Sequence, residues 1–86
     1  MKKRSLSQQA ADTLYEMIAD DGVWRPGDQL PSEIDLAAQL GISRATLREA
    51  THLLTAQGVL TVQRGKGTFV SRKANLSGRY DLGDIR

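Results

Sequence analysis

Cysteine is absent from these 86 residues, which excludes disulfide staples, thiolate metal sites and cysteine nucleophiles. Histidine occurs once, as His52, so a zinc site would need carboxylates for nearly all its ligands. Neither a metal nor a cofactor is expected. No apolar run approaches the roughly 18–20 residues of a membrane span, so no membrane contact is expected. The basic start Lys2-Lys3-Arg4 is followed by Ser5, Ser7, Gln8 and Gln9 instead of the apolar centre of a signal peptide. A cytoplasmic protein is expected. Aromatic residues make up 5% of the chain, too few for a platform on which single-stranded bases stack. Trp24 and Phe69 are expected in the core. A chain this short buries only about 60–65% of the surface its unfolded state exposes, which argues for one domain without a deep pocket.

Catalytic arrangements are equally scarce. Gly65-Lys66-Gly67-Thr68 departs from the phosphate-binding loop, which needs four residues between its glycines and Ser or Thr directly after Lys. A Ser/His/Asp triad would have to use His52, which has no nearby acid to orient it. Asp81 and Asp84 lie in a polar tail with no core around them, and Asn75-Leu76-Ser77 is a glycosylation acceptor by pattern alone. The chain is not expected to be an enzyme.

The net charge of +2 hides an uneven distribution. Residues 1–42 carry four cations against seven acids, a local balance of −3. Residues 43–73 carry Arg44, Arg48, Arg64, Lys66, Arg72 and Lys73 against Glu49 alone, a balance of +5. Such a local excess fits a polyanion partner, and it also fits a solvated basic face with no partner.

Apolar residues recur at helical spacing from Ser7 to about Asp20, through Ala10, Ala11, Leu14 and Ile18. Gly22 ends that stretch, and Arg25-Pro26-Gly27-Asp28 has the composition of a turn. Ser32 is placed to cap a second helix from Glu33 to Leu40, whose buried face is Leu36, Ala37 and Leu40. Glu33 and Asp35 suit its positive N-terminal end. Gly41-Ile42-Ser43 then supplies a left-handed cap, an apolar plug and the cap of a third helix from Arg44 to about Gln57. Two short helices joined in this way predict a helix-turn-helix. On the third helix Leu47, Ala50, Leu53, Leu54 and Gln57 share one face, and Arg44, Arg48, His52 and Thr55 the opposite one. The first two turns of that basic rail are where a recognition helix meets base edges.

After Gly58 the period shortens. Residues 59–63 and 68–71 are β-type runs, separated by Arg64-Gly65-Lys66-Gly67, a tip of alternating cations and glycines. Its glycines let the backbone approach a phosphate or groove wall with no Cβ in the way. The expected fold is mainly α with a small β-hairpin: a winged helix-turn-helix of three helices and a two-stranded wing. Leu14, Ile18, Leu36, Leu40, Leu47, Leu53, Leu54, Val62 and Val70 are its expected core.

The ordered segments Arg25-Pro26-Gly27-Asp28-Gln29-Leu30-Pro31-Ser32-Glu33, Leu40-Gly41-Ile42-Ser43-Arg44, Thr46-Leu47-Arg48-Glu49-Ala50 and Gly65-Lys66-Gly67-Thr68-Phe69-Val70 resemble the winged-helix domain of GntR-type bacterial transcriptional regulators. Arg48-Glu49 is similar to the FadR subfamily. The resemblance covers about residues 6–72 and implies sequence-specific binding to duplex DNA, by a homodimer on a pseudo-palindromic operator. It implies a metabolite-responsive regulator, typically a repressor, whose small-molecule effector binds a larger C-terminal domain. No such domain lies within these residues, so 1–72 is expected to be the DNA-binding domain and 73–86 a linker. Carried over by position, the implied DNA-binding residues are Ser43, Arg44, Ala45, Thr46 and Arg48 on the recognition helix. On the wing they are Arg64, Gly65, Lys66 and Gly67. Arg44 and Arg48 match base-contacting arginines, and Ser43 and Thr46 match phosphate-binding positions. Ile34 stands where FadR-like members often carry Arg, so a FadR-type operator consensus does not transfer. Winged helices also serve as protein-interaction or RNA-binding modules, which are the alternative functions.

Overall fold

A computed structural model describes residues 5–73. The expected linker beyond Lys73, the Asp81–Asp84 pair, the glycosylation pattern and the basic Lys2–Arg4 start lie outside the described residues. The chain forms α1 (Leu6–Ala19), α2 (Glu33–Leu40), α3 (Arg44–Ala56), β1 (Leu60–Gln63) and β2 (Gly67–Val70).

Each helix starts on a serine. The hydroxyls of Ser5, Ser32 and Ser43 accept hydrogen bonds from the backbone N–H groups of Gln8, Asp35 and Thr46 at 3.1, 3.2 and 3.0 Å. Each satisfies one donor that the first helical turn cannot pair internally. The α2 end is equally specific. Gly41 adopts φ +71°, and the N–H groups of Gly41 and Ile42 bond back to the carbonyls of Ala38 and Ala37. That paired closure needs a left-handed residue, which glycine adopts without a Cβ penalty. The same closure ends α3, where Gly58 and Val59 bond to the carbonyls of Thr55 and Leu54. In both cases the next residue, Ile42 or Val59, turns into the apolar interior.

α1 and α2 both pack on α3. Tyr15, Leu14, Leu36, Leu47, Leu54, Leu60 and Val70 are the largest fully buried side chains. The expected core is mostly present, with two corrections. Val62 is 57% exposed, because only the base of the hairpin, the Leu60–Val70 pair, reaches the helices. Beyond that pair the strands project past the core, so strand alternation no longer decides burial. Gln57, expected on the apolar face of α3, is exposed just past the helix end and closes it through its N–H to Leu53 and Leu54. Leu40 and Leu53 are half-buried against the core, while Tyr15, Leu30, Val59 and Leu60 fill places the periodicity did not assign. Trp24 packs on the margin of the core, and Phe69 is half-buried in β2.

The wing has a third participant. Antiparallel β1 and β2 pair from Leu60–Val70 to Gln63–Gly67. Along the outer edge of β2 run residues 27–30, bonded through Gly27 N–H to the Val70 carbonyl at 2.7 Å and Leu30 N–H to the Thr68 carbonyl at 2.8 Å. A return bond joins the Val70 N–H to the Asp28 carbonyl at 2.8 Å, around an isolated bridge between Gln29 and Phe69. The turn before α2 therefore covers a strand edge that would otherwise be unpaired.

Candidate nucleic-acid interface

Burial of Leu47, Ala50 and Leu54 fixes the rotation of α3 about its own axis. The opposite face then has to be solvent-facing, and Arg44, Arg48 and His52 stand exposed along it at intervals of one turn. Thr55 falls off this rail: it is half-buried, with its hydroxyl donating to the Thr51 carbonyl at 2.8 Å. At the head of α3, Ser43 is engaged twice. Its oxygen accepts the Thr46 N–H at 3.0 Å, and its hydroxyl donates to the Thr46 hydroxyl oxygen at 2.9 Å. That arrangement directs the Ser43 proton inward and leaves the Thr46 hydroxyl proton available to an incoming acceptor. Ala45 is exposed beside it and adds no bulk at the helix start.

Arg48 is held by a residue whose place in the sequence suggests only a helix-end charge. Its Nε and Nη2 donate to the two carboxylate oxygens of Glu33 on α2, at 3.3 and 3.1 Å. This two-point grip occupies one edge of the guanidinium. The terminal edge, made of Nη1 and the second Nη2 proton, lies outside the pair. That edge has the donor spacing that meets guanine O6 and N7 in the major groove. Both side chains are about half exposed, so the pair orients Arg48 more than it stabilises the fold. The Arg48 hydrogen bonds hold the Glu33 carboxyl below the ordinary glutamate range, against a smaller opposing effect of burial. The charges of Arg48, Arg44 and His52 act in the same direction. The only sequence signal for this contact was the helix-turn-helix itself, since 15 positions separate the partners.

Arg64, Gly65, Lys66 and Gly67 are all exposed at the hairpin tip. The Lys66 N–H bonds to the Gln63 carbonyl at 2.9 Å and closes the turn. Between this tip and the two helices lies a groove of about 330 Å³, bordered by Glu33, Leu47, Thr51, Lys66, Gly67 and Gln29 among others. The groove brings the wing segment Lys66–Gly67 alongside the start of α2 and one flank of α3. Ile34 is 60% exposed at the second position of α2, an apolar surface beside the paired Glu33. Among the described residues no group of His, Asp or Glu is arranged to hold a metal ion, and no helix is long and apolar enough to cross a membrane.

Known proteins are similar to this chain in sequence and fold. A histidine utilization repressor from Klebsiella aerogenes is 44% identical over 64 residues, which are 74% of this chain and 27% of that protein. The mannosyl-D-glycerate transport/metabolism system repressor MngR of Escherichia coli K12 is 40% identical over 73 residues, 85% of this chain and 30% of that one. The chain thus spans between a quarter and a third of the length of these curated relatives. Among solved structures, the DNA-binding domain of AraR in complex with operator ORE1 is 33% identical, with a TM-score of 0.72 over 80% of this chain and 83% of that chain. A GntR family transcriptional regulator from Listeria monocytogenes, 22% identical, shares the fold at a TM-score of 0.75 over 85% of this chain and 63% of that one. The family described as bacterial regulatory proteins, gntR family, matches residues 6–70. The chain belongs to the GntR family, a family of regulators and not of enzymes.

Proposed function

We propose that the chain is the operator-binding part of a bacterial transcriptional regulator that reads duplex DNA with α3. Arg44 and Arg48 contact bases in the major groove, Thr46 and the Ser43-capped helix start hold phosphate, and the Arg64–Gly67 tip lies at the groove edge. One observation carries this reading: Arg48 is gripped on one edge by Glu33 while its guanine-matching edge stays open beside Arg44. The operator complex of the AraR domain and the repressor names of the relatives support it. Repression is the favoured outcome, as a homodimer on a pseudo-palindromic site, with a small-molecule effector bound by a further domain. Arg48-Glu49 favours a FadR-type member, although Ile34 removes one polar reader at the start of α2.

By itself the domain is a monomer, since its large apolar side chains are mostly committed to one core. It binds one half-site weakly, because two linked modules raise affinity by about 10²–10⁴ through effective concentration. Neutralising roughly five phosphates gives a log K against log salt slope near −4 to −5. Selection from a random duplex library with the 86-residue chain tests the reading directly. A recurrent half-site with a steep salt dependence is expected. Retention of structured RNA in preference to duplex, or no enrichment, would overturn it.

A further inference from the structure

We infer that Gln29 is a positioning residue for the wing, a clamp that sets the tip conformation presented to DNA. Gln29 lies on the segment that runs beside β2, bridged to Phe69 and exposed at the surface. Its side chain nevertheless has a defined partner: Nε2 donates to the backbone carbonyl of Lys66 at 2.6 Å. Lys66 is separated from it by 37 positions and belongs to the tip turn, not to either strand.

The tip is otherwise weakly held. The last strand pair is Gln63–Gly67, and the turn beyond it is closed by the Lys66 N–H bond to Gln63. That bond fixes the N–H side of Lys66. The Gln29 amide fixes its carbonyl, and with it the plane of the peptide that joins Lys66 to Gly67. The direction in which the Lys66 side chain leaves the tip follows from both. Gly67 is part of the same device. A Cβ at Gly67 would fall 2.6 Å from Gln29 Nε2, far inside van der Waals contact, and φ there is +130°. A side chain at 67 and the clamp therefore exclude one another. Gln29 also borders the groove between wing and helices, together with Lys66 and Gly67. It thus ties the hairpin tip to the segment leading into α2, whose Glu33 grips Arg48.

This inference rests on the proposed role of the wing at the groove edge, and its test separates the two. Backbone order parameters of residues 64–67 are measured by NMR in the free 86-residue chain and in Gln29→Met, Gln29→Glu and Gln29→Lys. Methionine and glutamate remove the donor at similar length, whereas lysine restores one. Order at Lys66 and Gly67 should fall from rigid values of about 0.85 toward about 0.6 in the first two variants and recover in the third. With the selected half-site duplex, Gln29→Met should bind about three- to tenfold more weakly, the worth of one ordinary hydrogen bond. Protection of the sugar-phosphate backbone at the wing should weaken while the preference for operator over random duplex stays unchanged. Unchanged order parameters in Gln29→Met, failure of Gln29→Lys to restore them, or loosened tips that bind as wild type would each overturn the clamp. A Gly65→Val variant that binds as wild type would instead remove the wing from the interface, whatever the order parameters show.

Discussion

The two halves of the proposed interface are built on different principles. α3 takes its orientation from the core: Leu47, Ala50 and Leu54 are fully buried, so the arginines on the far side are aimed by the packing of the whole domain. The wing tip has no such support. Its four residues are exposed, and beyond the Gln63–Gly67 strand pair it is held by hydrogen bonds from Lys66 to Gln63 and from Gln29 to Lys66. A rigid helix suits the reading of base edges, where small displacements cost discrimination. A cationic tip set by a few hydrogen bonds suits a phosphate backbone, whose charge is the same whatever the sequence.

The largest effect that sharpens this contrast comes from the core. Leu54→Ala should cost about 2–5 kcal/mol of stability, measured by denaturant unfolding, and should disturb α3 and the base of the wing together. Arg44→Ala and Arg48→Ala should leave unfolding nearly unchanged yet weaken operator binding by roughly ten- to a hundredfold each. Lys66→Ala should weaken operator and random duplex alike and reduce the salt slope by about 1, as expected for one lost phosphate contact.

The smallest effect is on pH. The Glu33 carboxyl is held below its ordinary range only in the folded chain, by Arg48. Its small stabilising contribution is therefore present above the ordinary glutamate range and is lost as pH falls through the lowered folded value. Glu33→Gln should remove this acid-side dependence from thermal melts. It should also blur guanine preference at the position proposed for Arg48, because the grip on the guanidinium weakens.

Most of the fold was legible because its signals are local. Serine caps, the Gly41-Ile42-Ser43 junction and the apolar spacing of α3 each act within a few residues, and each is present in the structure. What escaped were contacts between distant segments. Glu33 looked like a helix-end charge, because its partner becomes a neighbour only after α2 and α3 pack. The sequence assigns Gln29 no task of its own, since its partner is a backbone carbonyl that carries no sequence signal. Val62 misled for the complementary reason: its alternation was right for a strand on a core, but the core ends one pair earlier.

The division of labour proposed between α3 and the wing shows in the ratio of operator to random-duplex affinity. That ratio, taken at one salt concentration, should narrow in Arg44→Ala and Arg48→Ala and stay at the wild-type value in Lys66→Ala and Gly65→Val. Parallel loss of both affinities in the arginine variants, or a collapse of the ratio in the wing variants, would contradict it.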